Sequence, residues 1–508
     1  MATDLVLTID IGTGSSRAAV FSLRENRLLA TAARDNPVSH PQPQRAEFDP
    51  ARWWRGIVQA MAEAVDKTGR PGGDVLGITA TSLRQGFVLL AGDGTPVAPG
   101  VLNYDRRGAD YCQAIEEHLG IEELYRLTGH WPAPELTLPK LLWFRSEQPA
   151  AWARAASFLF VHDWVLQRLC GEKGTNPTLI CAGQMADVPA RAWAKDLLRG
   201  LGLRLDLLPP VYEGGARLGG LNGEVARAVG LPAGTPVHVG GGDTQFGGLG
   251  VGGMEPGKAV IVGGSTTPLM MTASRPLFDP LRYPWVSTHL RPGLWAVETN
   301  AGHTGMIYRW FRDTFGQAQV AAARRRGLGP YAILDDLAAQ APIGCDGLLV
   351  VATNPRWAQD TWQRKAPYVL HNFSVSHDLG HVARAILESV CYGVRGNLEQ
   401  LERVAGERFA TVLFTGGSAG APLWAQMMAD VLGRPLHVPR VAEPAAAAGA
   451  QLVLWGQGSA EVLPAPPLTV YEPDLVRAQQ YEPHYRAYLE VFEKMQTHFA
   501  APAGGDSR

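Results

Sequence analysis

The chain has 508 residues, enough for two or more domains with separate cores. Its 46 basic and 48 acidic residues leave a formal charge of −2, which excludes a polybasic surface for nucleic acid or membrane. Hydrophobic content of 46%, charged content of 19% and no apolar run of membrane-spanning length describe a globular chain. The apolar run at Met1–Val6 is too short for a signal peptide, so a cytoplasmic location is expected.

In chain order, LVLTIDIGTGSSRAAVF (Leu5–Phe21) predicts a strand over 5–10 ending on Asp10, a turn, and a second strand over 16–21. The turn is Gly12, Thr13, Gly14, Ser15 and Ser16. Its glycines let backbone N–H groups converge on an anion with no Cβ in the way. The hydroxyls add hydrogen bonds to phosphate oxygens, and a carboxylate at the strand end can hold Mg²⁺ through its water shell. No GK[ST] follows, so this is not a Walker loop; a Gly-rich hairpin is the plain alternative. A helix is predicted near 50–67 and strands over 75–81 and 86–90, with Gly92-Asp93-Gly94 as a hairpin turn. Further helices are predicted near 106–118 and 138–146, and His162 at a helix start reads as a cap.

VHVGGGDTQFGGLG (Val237–Gly250) places Asp243 after a strand and three glycines. An aspartate there can accept the proton of a substrate hydroxyl during phosphoryl transfer from a nucleotide, whereas the structural alternative is an Asx turn in a linker. KAVIVGGSTT (Lys258–Thr267) repeats the unit of strand, glycines and hydroxyls, which suggests two related halves facing one polyphosphate. A helix over 303–315 should pack Trp310 and Phe311 inward, followed by a strand over 347–352 and a helix over 378–404. A third unit joins a strand at Thr411–Phe414 to the Gly416-Gly417 turn and a helix over 421–432, with Pro422 in its first turn and Gly433 past its end. Such a turn can accept an anion or let a flat ring lie on the backbone. The last helix is predicted over 476–498, before a loose tail, APAGGDSR. Cys112, Cys170, Cys181, Cys345 and Cys391 show no CxxC spacing, so neither a zinc site nor a disulfide framework is expected.

From Leu5 to about residue 455 the chain resembles a carbohydrate kinase of the FGGY family, in the sugar kinase/Hsc70/actin superfamily. The motifs that carry the resemblance are DIGTGSSR, AEFDP (Ala46–Pro50) followed by Trp53 and Trp54, TLPKLLWF (Thr137–Phe144), VGGGDTQFGG, RWFRD (Arg309–Asp313), RAILES (Arg384–Ser389) and GGSAGAPLWAQMMADVLGRP. The resemblance implies an α/β fold of two ribonuclease-H-like domains flanking a nucleotide and sugar cleft. The N-terminal domain would cover 1–248 and bind sugar and phosphate, the C-terminal domain 249–490 would bind adenosine, and 491–508 would be a helix end and tail.

By the same resemblance Asp243 is the general base, and Asp10 and Asp243 place Mg²⁺. Gly12, Thr13, Gly14, Ser15 and Ser16 face the transferring phosphate, Gly264, Ser265 and Thr266 cover the nucleotide phosphates, and Gly416, Gly417 and Ser418, with Gln426 nearby, line the adenosine site. The SLRQG loop brings Arg84 and Gln85 to the sugar, and NYDRRG adds Asn103 and Asp105; an ion pair between Arg84 and Asp105 is the competing expectation. ATP and Mg²⁺ are the implied cofactors. A sugar is the implied small-molecule partner, with no nucleic acid, no membrane, and room for a homodimer. A ketopentose such as xylulose leads on family breadth. An autoinducer-2-like dihydroxypentanedione is the alternative, because LRQG and ATNPRWAQDTWQRKAP (352–367, with Trp357 and Trp362) resemble that branch. Asn176 stands where many members have Asp, so the family's contact at that position does not carry over. A nucleotide switch without a sugar, or a catalytically silent sugar-binding regulator, would be the non-kinase outcomes.

Overall fold

The computed structural model describes residues 3–359 and 368–498, so Trp362 and the tail fall outside the described residues. Two sheets of matching topology organise it. In the first, Leu5–Ile11, Ser15–Ser22 and Arg27–Asp35 form an antiparallel meander, and Val75–Ser82 then Pro236–Gly242 add parallel on the far side of Leu5–Ile11. In the second, Lys258–Val262, Pro268–Ala273, Trp295–Asn300 and Trp285–Thr288 make the meander, and Thr411–Thr415 and Leu436–Pro439 add parallel. The central strands are apolar on both faces because helices cover both sides.

One such helix is Pro50–Asp66. Asp49 caps it by accepting the N–H groups of Ala51 and Arg52, Pro50 fits its first turn, and Trp53, Ile57, Ala60, Met61 and Ala64 bury one face on the first sheet. The opposite face is covered by Pro444–Gly456, a helix that sequence reading did not anticipate. Although it follows the second sheet in the chain, it packs on Leu5–Ile11 and Val75–Ser82 and crosses the Asp243–Gly250 helix. The crossing is so close that a Cβ at Gly250 would lie 1.8 Å from the Pro444 carbonyl oxygen. These two helices form the hinge.

A small insert sheet (Glu47–Phe48, Gly100–Val101, Phe87–Leu90, Ser157–Phe160) extends the first lobe, with Phe87, Phe144, Phe158 and Phe160 among its buried rings. The second lobe docks on this insert: the Val286 N–H donates to the Gly129 carbonyl at 2.9 Å, and Trp131, Trp285 and Trp357 pack ring against ring. The lobes therefore meet at the hinge and again along one wall.

Three local expectations need correction. The segment 106–118 is helical only from Cys112, after a 3-10 turn at Ala109–Tyr111, because Arg107 folds back onto Asp105. Trp310 is 51% exposed while Phe311 is buried, because the buried stripe of the helix Thr304–Phe315 runs through Thr304, Ile307, Tyr308 and Phe311 and leaves Trp310 outside it. His162 is not the cap: Asp163 accepts the Phe160 N–H at 3.2 Å. The buried His162 donates Nδ1–H to Asp163 at 2.8 Å, and its Nε2 accepts the Gly240 N–H at 3.0 Å. His162 thus braces the glycine strand that leads to Asp243. Among the described residues no helix is long and apolar enough to cross a membrane.

Candidate active site

The first two glycine turns lie at equivalent strand ends, and the third follows Thr411–Thr415, the parallel neighbour in the second sheet. In the first, the Gly12 N–H donates to the Ser15 carbonyl at 3.0 Å. Asn36, unmarked by any motif, holds it from below: its side-chain amide donates to the Gly12 carbonyl at 2.7 Å and its backbone N–H to that of Gly14 at 2.9 Å. Ser16 donates its hydroxyl to Asn36 Oδ1 at 2.9 Å and is fully buried, which corrects its assignment to phosphate. Strand alternation turns Ser16 inward while Ser15 and Arg17 face the other way. Thr13 donates to Asn103 Oδ1 at 3.3 Å, which ties the turn to the expected sugar wall. Lys140 of the TLPK motif fixes that wall by donating to the Leu102 and Asn103 carbonyls at 2.8 and 3.0 Å.

In the second lobe the other two turns make one surface. Strands Lys258–Val262 and Thr411–Thr415 are parallel neighbours, so their turns emerge side by side. The Ser418 N–H donates to the Gly263 carbonyl at 3.1 Å. Gly416 has φ +88°, and a Cβ there would lie 2.5 Å from the Gly263 oxygen, so only glycine fits. Gly305 and Met306, at the start of helix Thr304–Phe315, donate to the Gly264 and Ser265 carbonyls at 3.1 Å each. Ser265, Gly416 and Gly417 are exposed and Gly264, Thr266 and Ser418 partly so. Behind them Trp424 is buried, edge-on to Tyr308, with its indole N–H unpartnered among the described residues. Gln426 does not line this surface as expected, because its amide donates to Asp430 and to the Glu472 carbonyl, both at 2.8 Å.

Asp243 is the first residue of the helix Asp243–Gly250, and parallel pairing of Pro236–Gly242 with Val75–Ser82 brings the SLRQG loop beside it. Arg84 forms a two-pronged pair with Glu298 of the second lobe (2.6 and 2.8 Å), and its Nε lies 3.6 Å from Asp243 Oδ1. Arg84 therefore does not pair with Asp105. Asp105 is fully buried and accepts from the Ala46 N–H, the Arg107 N–H and the Arg107 guanidinium, so no oxygen remains for a sugar; its assignment as a hydroxyl acceptor is corrected. Gln85 and Asn103 stay partly exposed. Glu298, 214 residues from Arg84, is the residue that sequence reading missed and that bears most on the site.

The cleft is rich in negative charge. The carboxyl of Asp243 sits above the usual range because the surrounding protein strips away its solvent, although 47% of its side-chain surface stays open. Arg84 opposes that rise and Glu298 adds to it. Asp10 is pushed up to about 7, by burial first and then by the charge of Asp243; Arg17 pulls it down and Glu443 pushes it up. Arg17 and Glu443 pair with each other at 2.8 Å, joining the first sheet to the start of the hinge helix. Two carboxylates that resist ionising together suit a divalent cation. Among the described residues there is no cluster of three or more metal-ligating side chains. Magnesium here would thus rely on this pair, water and phosphate oxygens, its ordinary mode with nucleotides.

Comparison with known proteins agrees along nearly the whole chain. The N-terminal domain of the FGGY family of carbohydrate kinases matches residues 5–250, and the C-terminal domain matches residues 259–454. An autoinducer-2 kinase of Yersinia enterocolitica is 33% identical over 467 residues, 91% of this chain and 88% of that protein. One of Yersinia pestis is 32% identical, with 91% and 87% covered. Among solved structures, xylulose kinase from Rhodospirillum rubrum is 27% identical, with a TM-score of 0.85 over 98% of this chain and 100% of that one. Gluconate kinase from Lactobacillus acidophilus, at 17% identity, shares the fold with a TM-score of 0.88 over 97% and 99%.

Two outcomes follow from the electrostatics. The folded protein keeps the Asp10 proton up to about pH 7 while the unfolded chain loses it near 4, so the contribution of Asp10 to stability falls as pH rises through that window. Asp10→Asn should raise the melting temperature most at pH 8, with the gain shrinking by pH 5, while activity is lost; calorimetry at both pH values checks this. Removing Glu298 leaves Arg84 acting on Asp243 alone and lowers the Asp243 pKa, whereas removing Arg84 raises it. The acid limb of the kcat/KM profile should therefore move to lower pH in Glu298→Gln and to higher pH in Arg84→Gln.

Proposed function

Because the chain belongs to the FGGY family of carbohydrate kinases, phosphotransferases with an alcohol group as acceptor, we propose that it moves the γ-phosphate of MgATP to a hydroxyl of an autoinducer-2-type dihydroxypentanedione. The observation that carries the substrate choice is the 33% identity with the Yersinia enterocolitica autoinducer-2 kinase over 91% of the chain. Xylulose, the expectation from family breadth, becomes the second reading, favoured by the 27% identical Rhodospirillum rubrum xylulose kinase.

Arg84, Gln85 and Asn103 offer N–H donors to the substrate, and the Gln85 and Asn103 amides and the Asp243 carboxylate offer acceptors, while Asp105 is withdrawn by Arg107.

In this reading Asp243 takes the proton of the attacking hydroxyl, and its raised pKa makes it a better base than an exposed carboxylate. Arg84, held by Glu298, orients the substrate oxygens. The Gly12–Ser15 turn faces the transferring phosphate, Gly264, Ser265 and Thr266 cover the remaining phosphates, and Gly416, Gly417 and Ser418 lie under the adenosine. Magnesium, placed by Asp10 and Asp243, would neutralise phosphate charge. The docked lobes keep out water, a competing acceptor. A division into domains near residue 248 and a cytoplasmic location belong to the same reading.

The test is ADP release with MgATP on dihydroxypentanedione, D- and L-xylulose, D- and L-ribulose, glycerol and erythritol, with wild type and Asp243→Ala. Dihydroxypentanedione should give the highest kcat/KM, and Asp243→Ala should lower it by about 10²–10⁴-fold. A higher value on a xylulose would install the second reading, and an undiminished Asp243→Ala would remove the base from its role.

A further inference from the structure

A cavity of about 600 Å³ runs along the hinge helix Pro444–Gly456, with walls from both lobes: Phe21 from the first sheet, Lys258 and Arg440 from the second lobe, and Trp455 from the helix itself. His289 and Arg291 complete it from the loop between Trp285–Thr288 and Trp295–Asn300. His289 is 1% exposed and fixes the loop, its Nδ1 accepting the Arg291 N–H at 2.8 Å.

The charges of the lining point to an anion. Glu255 and Glu443, the carboxylates of the lining, are already paired with Lys258 and Arg17, each at 2.8 Å. Among the described residues neither Arg291 nor Arg440 has an ion-pair partner: Arg291 lies over the Trp455 ring at 5.9 Å, and Arg440 donates to the Thr469 hydroxyl at 2.8 Å. The lining thus combines two guanidinium groups without ion-pair partners and aromatic surface. Its volume is that of a small-molecule site.

We propose that this hinge cavity binds a small organic anion with a flat apolar body. The anionic head faces Arg291 and Arg440, and the body lies against Trp455. Because the walls belong to both lobes and the hinge, an occupant bears on the angle between them. Nothing in this reading depends on which sugar the cleft takes.

The experiment is isothermal titration of the full chain with phenylphosphonate, inorganic phosphate and benzoate, with MgADP at saturation to occupy the nucleotide site. Phenylphosphonate should bind, benzoate should bind more weakly as the less charged anion, and inorganic phosphate should bind at least about tenfold more weakly for want of an apolar body. Arg291→Ala and Arg440→Ala, both at exposed positions, should each weaken phenylphosphonate by about tenfold while retaining MgADP affinity, which reports on folding. Asp243→Asn should leave phenylphosphonate binding unchanged. Absence of binding, binding indifferent to Arg291→Ala, equal affinity for inorganic phosphate, or displacement by MgADP would each overturn the proposal.

Discussion

The site depends on the pair between Arg84 and Glu298. It joins the loop after Val75–Ser82 in the first lobe to the strand Trp295–Asn300 in the second, and both partners are largely buried. Two desolvated charges held by two short hydrogen bonds tolerate little displacement, and removing one partner of such a pair typically costs about 3–5 kcal/mol. The Arg84 guanidinium then has only its Nε edge directed at Asp243. One interaction thereby links the two lobes at the site and sets the charge beside the base.

Duplication explains the rest of the cleft. Each sheet is an antiparallel set, of three strands in the first and four in the second, extended by parallel strands, so each offers a glycine turn where its first strand gives way to its second. In the second lobe the parallel neighbour brings a further turn alongside, locked by the Ser418–Gly263 hydrogen bond and by the absence of a Cβ at Gly416. A polyphosphate between the lobes would meet backbone N–H groups from both sides without any Walker loop. The hinge helices complete the design: Asp243 heads one, Glu443 precedes the other, and they cross at Gly250.

Much of this was legible because it is local. Strand–turn–strand units, Pro422 and Gly433 at the ends of their helix, and the Gly-rich approach to Asp243 follow from short-range stereochemistry, and the order of motifs carried the family. What was hidden is long-range. Glu298 looks like any strand glutamate until folding brings it to Arg84, and Asn36 carries no motif though it holds the first turn. Ser16 and Asp105 have the right chemistry for their expected roles, but alternation buries one and Arg107 occupies the other. The helix Pro444–Gly456, PAAAAGAQLVLWG, is apolar almost all round because it lies between the lobes, so it lacks the polar face by which a surface helix is recognised.

The most direct test of the central claim is a double-mutant cycle on Arg84 and Glu298, with kcat/KM on the best substrate measured for wild type, Arg84→Gln, Glu298→Gln and the double variant. If the pair acts as one unit, the double variant loses little more than the worse single variant, which leaves a coupling energy above about 1 kcal/mol. Losses that add to within about 0.5 kcal/mol would show two independent residues and contradict the account.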